Sequence, residues 1–243
     1  MFTLHNGDCR QFQPPEFDIV VTDPQYGIGK LWNGEMKGKN GSSALWGNGS
    51  NHWDFETFDI EYILKLIEHP AIIWGGNYYA LPPVRGWLIW DKVQEFSGGD
   101  FEMAWTNLPT APRAYRLSRI DGYVNRAETK KAHPTEKPLP LCLWVIENFT
   151  KEGDVVFDPF MGTGNFGVAC KKLGRGYIGC ELKAEYFREA EKRIKSAVLS
   201  PSLFTPSNNR LHMDAGDSPR QKDLFTPEAD TAEGKLPAPA PRR

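Results

Sequence analysis

The sequence predicts an α/β fold, a doubly wound, mostly parallel sheet of the Rossmann-like kind with a permuted order of motifs. Three observations carry this. Short apolar runs alternate with helix-like segments. Residues 154–181 spell strand, glycine loop, helix, strand and acid. Only one helix-like segment follows Glu181 before the composition changes. Alternation of this kind means parallel strands joined by crossover helices. A sheet left unfinished after Glu181 must draw its remaining strands from the N-terminal half, which places the glycine loop late in the chain.

Taken in order, Phe17 to Val21 is apolar apart from Asp18 and lies between Pro14-Pro15 and Pro24, so 17–22 reads as a buried strand. It ends in "DPQYG" (23–27), at the carboxyl end of a strand, where open α/β sheets collect ligands. A helix is expected at about 56–68, and strands at 71–74 ("AIIW") and 86–91 ("GWLIWD"). Trp74, Trp87 and Trp90 in these runs read as core. After Pro138 come a helix at 139–149, a strand at 154–158, a helix at 165–173 and a strand at 176–181. The last helix, 183–198, carries acids early and bases late, as its dipole prefers. Two stretches, 27–55 and 96–134, are long, polar and loop-like, and such loops in a compact domain are usually functional. The folded domain is placed at 1–199. Residues 200–243, rich in Pro, Ala, Asp, Ser and Thr, read as a disordered tail unable to offset its ordering entropy by burial.

Composition narrows the function. A chain of 243 residues with 40% hydrophobic content suits one domain, and a net charge of −2 means that any nucleic-acid footprint must be local. Four scattered cysteines without C-x-x-C spacing argue against zinc or disulfides, and no metal is expected. The absence of a long apolar run or signal-like start leads to the expectation of a cytoplasmic protein with no membrane contact.

Gly162, Gly164 and Gly167 form G-x-G-x-x-G, and Glu181 falls 19 residues after the first glycine. Such glycines let backbone approach a ligand at a helix N-terminus, and the acid can bind a ribose diol. A dinucleotide fold shares this local pattern but needs several more strands downstream.

Here the sequence resembles the amino-group DNA methyltransferases that use S-adenosylmethionine, in their permuted, β-type order, as found in phage and restriction–modification systems. "DPQY" resembles the family's D-P-P-Y, "DPFMGTG" (158–164) its D-P-F-x-G-[ST]-G loop, "HPTEKP" (133–138) its H-P-x-x-K-P segment and "NGDC" (6–9) its opening G-D. The resemblance covers about residues 1–198. Gln25 departs from the family's second proline; it restores a backbone N–H and is expected to loosen the turn.

The resemblance implies methyl transfer to an exocyclic amine of a DNA base. Asp23 and the carbonyl of Pro24 would accept the amine's two N–H bonds and localise its lone pair, while Tyr26 stacks on a base turned out of the duplex. Glu181 would take the ribose hydroxyls, with Asp158, Phe160, Gly162, Thr163 and Gly164 forming the loop around the cofactor. Asp8 is expected at the cofactor adenine, and His133, Thr135 and Lys137 near its methionine part. Adenine N6 is the expected target; cytosine N4, or a non-catalytic DNA-binding relative, are the alternatives. A protein or RNA methyltransferase fits less well with the insert between the motifs.

Arg113, Arg116, Arg119, Arg126, Lys130 and Lys131 stand against only Asp121 and Glu128, a local charge of +4, and read as a phosphate-tracking segment for double-stranded DNA. The glycine-rich stretch 29–53 could close over a flipped base. In the tail, "QKDLF" resembles the bacterial sliding-clamp pentapeptide Q-L-[SD]-L-F through Gln221, Asp223, Leu224 and Phe225, with Lys222 the departure.

Overall fold

The structure is a computed structural model that describes residues 1–28, 54, 56–93, 99–118 and 136–200. Eight strands form one sheet: β1 (Phe2–Asn6), β2 (Ile19–Thr22), β3 (Ala71–Trp74), β4 (Gly86–Asp91), β5 (Phe101–Thr106), β6 (Arg113–Arg116), β7 (Val155–Asp158) and β8 (Gly176–Glu181). Their order is β1-β8-β7-β2-β3-β5-β4-β6. All neighbours run parallel except β5, which is antiparallel to both β3 and β4. The helices are α1 (Ile60–Leu66), α2 (Leu139–Phe149), α3 (Asn165–Lys172) and α4 (Ala184–Ser196).

Strand alternation divides the core into two layers. On one face Ile19, Val21, Ile72, Trp74 and Val156 pack against α2, α3 and α4. On the other, Val20, Ile73 and Phe157 meet Ile63 and Leu66 of α1. This is why the central strands read as unbroken apolar runs: both of their faces are covered. Trp74 and Trp90 are buried core residues, and Trp87 packs partly buried against the α1 layer.

All five expected strands and four expected helices are present. The stretch 96–134 is not loop throughout, however, since it contains β5 and β6. Ala104, Trp105 and Thr106 of β5 are fully or almost fully buried, and the strand pairs along its whole length with β4. β1, whose residues are at best half-buried, was also unforeseen; it is held by its ladder to β8. Pro138 stands before the first turn of α2 in extended conformation, and Pro140 lies inside that turn, where a missing N–H costs nothing. Among the described residues no helix is long and apolar enough to cross a membrane. The stretch 29–53 and the tail from 201 onward lie outside the described residues.

The third glycine of the loop motif serves packing. A Cβ on Gly167 would lie 2.5 Å from Ile194 Cδ1 of α4 and 2.8 Å from Tyr177 Cε1 of β8. Gly167→Ala gains roughly 1 kcal/mol of helix propensity but overpacks a dense core, at a cost of roughly 1–3 kcal/mol. Urea unfolding should show a net loss of stability; a gain would mean that α4 yields freely.

Candidate active site

The sheet reverses direction between β7 and β2. From β7 the chain moves outward to β8, and from β2 it moves to β3 on the opposite side. These two strands are parallel neighbours, with Ile19 opposite Val156. Their carboxyl ends carry "DPFMGTG" and "DPQYG", so both motifs stand at the topological switch point, where α/β sheets hold ligands. A cavity of about 390 Å³ lies there, with Asp23 and Tyr26 in its wall along with Phe160, Thr163 and Glu181.

The glycine loop is stiffly built. Gly162 and Gly164 have φ of +52° and +81°, in the left-handed region. A Cβ on Gly164 would meet Ala190 Cβ at 2.9 Å, whereas one on Gly162 would meet nothing within 4 Å. Gly164 is thus fitted to α4, and Gly162 presents bare backbone to open space. Glu181 Oε2 accepts from Gly162 N at 3.0 Å and its Oε1 from Lys183 N at 2.8 Å, so the acid at the end of β8 also braces the loop. Burial raises the pKa of Glu181, partly offset by these backbone donors. Thr163 Oγ1, in the cavity wall, is buried without a hydrogen-bond partner.

Asp158 serves the loop from beneath. Its side chain accepts from Thr22 Oγ1 (2.6 Å), Tyr177 OH (2.9 Å) and Phe160 N (3.1 Å). Burial pushes its carboxyl up to about 7 against those donors. Expected as a cofactor ligand, Asp158 spends its carboxylate tying β7 to β2 and β8.

The opposite wall is anchored from several directions. Asp54 Oδ1 accepts from Tyr26 N (2.7 Å) and Gly27 N (3.0 Å). The Tyr79 hydroxyl donates to the Gln25 carbonyl and accepts from Phe58 N. These side chains brace the turn that carries Gln25 in place of the family's proline. Gln25 Oε1 is buried without a partner.

Asp23 has both carboxylate oxygens engaged. Tyr26 OH donates to Oδ1 at 2.6 Å and Lys137 Nζ to Oδ2 at 2.6 Å. Lys137 Nζ also donates to Tyr26 OH at 2.9 Å and pairs with Glu102 Oε2 at 3.0 Å. An ammonium has three N–H bonds, and all three are used. Lys137, expected near the cofactor's methionine part, lines the cavity and spends its ammonium on Asp23, Tyr26 and Glu102. Burial raises the pKa of Asp23, with Lys137 opposing the rise. For Glu102 burial alone would act the same way, but Lys137 and Lys92 hold its carboxyl down to about 2. The Tyr26 ring stacks on Tyr78, with centroids 5.0 Å apart. Both lie beside Gly75, whose φ is +67° and where a Cβ would fall 2.0 Å from Tyr26 Cε1.

Segment 136–137 is fixed to the helices by a second polar cluster. Asn165 Nδ2 donates to Glu136 Oε1 (2.7 Å) and to the Lys137 carbonyl (2.6 Å). Arg193 of α4 bonds Glu136 Oε1 at 2.8 Å and the Thr163 carbonyl at 2.9 Å. Asp8 also lines the cavity, but its carboxylate is bound to Arg10, which lowers its pKa. Arg113 and Arg116 lie exposed on β6, the edge strand, with Arg116 Nε 2.9 Å from Asp91 Oδ2. His133, Thr135, Arg119, Arg126, Lys130, Lys131 and the tail residues Gln221, Asp223, Leu224 and Phe225 lie outside the described residues. Glu102, Lys92, Tyr78, Asp54, Asn165 and Arg193 went unnoticed in the sequence. The signal for Glu102 was the alternation in "FEMAWT", hidden by the polar stretch around it.

Fold and cleft define the class: a doubly wound α/β protein with a held carboxylate facing a glycine loop across a switch point. Residues 68–192 match the DNA methylase family. The type II methyltransferase M.HinfI of Haemophilus influenzae is 48% identical over 251 residues, covering 82% of this chain and 70% of the relative. M.HpaI of Haemophilus parainfluenzae is 40% identical over 235 residues, covering 77% and 71%. The crystal structure of the M1.HpyAVI–SAM complex shares the fold, with a TM-score of 0.50 at 23% identity over 80% of this chain and 99% of the other. The chain belongs to the DNA methylase family, and it is a site-specific DNA methyltransferase of restriction–modification type.

Proposed function

We propose that the protein transfers a methyl group from S-adenosylmethionine to the N6 amino group of adenine in double-stranded DNA, with Asp23 as the group that touches the amine. The observation that carries this reading is the placement of the Asp23 carboxylate in the wall of the cavity that the glycine loop also lines. The Asp-Pro-x-Tyr form of the motif favours adenine by resemblance to the family.

The cavity suits the cofactor. Gly162 offers open backbone, Thr163 Oγ1 an unused hydroxyl, and each Glu181 oxygen retains a lone pair beside its backbone bond for a ribose hydroxyl. When bound, S-adenosylmethionine supplies an electrophilic methyl that the amine takes while sulfur keeps the bonding pair, leaving a neutral thioether and a surplus proton on nitrogen. Asp23 and the Pro24 carbonyl accept the amine's N–H bonds and aim its lone pair. Asp23 then receives the surplus proton and passes it to water. The stacked pair Tyr26 and Tyr78 offers an aromatic surface to the base.

Asp23→Ala should lower methyl transfer by about 10²-fold or more while calorimetry shows S-adenosylmethionine affinity essentially unchanged. Joint loss of both would remove Asp23 from the amine. Mass spectrometry of nucleosides from methylated duplexes should find N6-methyladenine; N4-methylcytosine would overturn the choice of base, and neither would overturn the reaction.

Arg113 and Arg116, with Arg119 beyond them, are proposed to follow DNA phosphates. Replacing all three with Ala should flatten the salt dependence of DNA binding by roughly one unit of slope for each phosphate that an arginine neutralises. An unchanged slope would make them ordinary solvated side chains.

The tail is proposed to bind a sliding clamp through Gln221, Asp223, Leu224 and Phe225, which would raise the local enzyme concentration on replicating DNA. A peptide of residues 216–230 should bind bacterial clamp with affinity on the order of micromolar, and Leu224→Ala with Phe225→Ala should abolish binding. A wild-type peptide that does not bind ends the proposal.

A further inference from the structure

We infer that Lys137, backed by Glu102 and Lys92, is a positioning residue for Asp23: its ammonium pins Oδ2, leaving Oδ1 to receive the target amine. This rests on the reading of Asp23 given above and assigns a role to three residues outside the family motif's expected acid.

The four groups form a chain of alternating charge. Asp23 Oδ2 lies 2.6 Å from Lys137 Nζ, which lies 3.0 Å from Glu102 Oε2. Glu102 Oε1 lies 2.9 Å from Lys92 Nζ, which donates in turn to the Gly99 carbonyl at 3.3 Å. The side chains of Lys137 and Lys92 are only 4% and 5% exposed. Asp23 and Lys137 line the cavity, whereas Glu102 and Lys92 do not. The latter pair touches no substrate: it acts from behind, by holding the ammonium and, for Glu102, by its charge on Asp23.

The two oxygens of Asp23 are held unequally. On Oδ2 sits an ammonium that Glu102 also restrains and that cannot leave without burying an unpaired charge. On Oδ1 sits the Tyr26 hydroxyl, on a ring that meets the partly exposed Tyr78. Oδ1 is therefore the oxygen that can change partner. The base amine displaces a hydroxyl there, not an ammonium.

The groups that face Asp23 are Tyr26, Lys137, Glu102 and, behind it, Lys92; farther off stand Tyr78, Asp54, Asp158, Tyr79 and Cys142. Lys137 favours the ionised acid and Glu102 disfavours it. Only the ionised form accepts the amine, so the rate falls as pH drops through the pKa of Asp23. Removing Lys137 leaves only the Tyr26 hydroxyl to oppose burial and raises that pKa. Removing the charge of Glu102 lowers it. The two changes should move the acid limb in opposite directions, an outcome that a merely structural role for the cluster does not produce.

The test is the pH profile of single-turnover methyl transfer on a duplex substrate, with S-adenosylmethionine affinity measured by calorimetry. Lys137→Met should move the acid limb up by about one pH unit or more, tenfold in rate along the limb, with cofactor affinity kept. Glu102→Gln should move the limb down, and Lys137→Arg should restore it to near its original place. An unmoved limb in Lys137→Met, or loss of cofactor affinity in step with rate, would overturn the inference. If Lys137→Met does not fold, Glu102→Gln and Lys137→Arg decide: a downward shift in the first with retention in the second supports it, and an upward shift or no shift in the first overturns it. An Asp23→Ala enzyme that stays active would instead remove the reading of Asp23 itself, whatever the profiles of the other variants.

Discussion

The ammonium of Lys137 constrains the whole site. It is enclosed by protein, and a buried charge must be neutralised by close partners or the fold suffers by several kcal/mol. Asp23 arrives from the end of β2, Tyr26 from the turn that follows, and Glu102 from β5. Those elements must therefore converge on one point. The rings of Tyr26 and Trp74 add to the restraint, with centroids 5.3 and 5.6 Å from Nζ. Lys137 is itself held from behind, because Asn165 binds its carbonyl and Arg193 binds Glu136 beside it. Asp23 thus inherits its position from α3 and α4, the same helices that shape the glycine loop. The two halves of the cleft are registered to one another through this segment.

The sequence made most of the fold legible because the central strands are buried on both faces. Runs such as "FDIVV" and "DVVFD" need no knowledge of the rest of the chain to be read as strands. β5 and β6 were obscured for the converse reason. β5 opens with an exposed Phe101 and contains Glu102, and β6 is largely exposed, so their strand character comes from pairing with β4. A ladder between distant segments leaves little trace in local composition. The extreme case is β1, where a half-exposed pentapeptide is made a strand by β8.

The site divides along the same line. Of the residues fixed by local backbone geometry, Gly162 and Glu181 line the cavity, while Gly164 packs against α4. Contacts made with partners remote in the sequence left no such trace. Lys137 belongs to a motif that precedes the glycine loop, yet its ammonium reaches an acid 114 residues earlier in the chain. Asp158 lines the cavity, but Thr22 of β2 and Tyr177 of β8 take up its carboxylate. Spacing locates a side chain; it does not say which neighbour will use its charge.

The closed ring of Asp23, Tyr26 and Lys137 also bears on how a base is admitted. Such a ring resists opening, since each of its bonds to a charged group contributes on the order of 1.5–3 kcal/mol. On the proposed reading, however, the amine replaces the Tyr26 hydroxyl with a donor of the same kind. The exchange at Oδ1 is close to balanced, and the fixed bond at Oδ2 is never broken. What remains to favour entry is stacking on the aromatic pair and the second bond to the Pro24 carbonyl. A base without a two-proton amine at the correct place could displace the hydroxyl only by leaving Oδ1 bare, which incurs the desolvation cost of an unsatisfied charge. The resting contact thereby acts as a threshold: it shields the carboxylate until a donor of the right geometry takes its place. Discrimination against a wrong base follows from the penalty for failed replacement, and the acid needs no unusual strength to provide it.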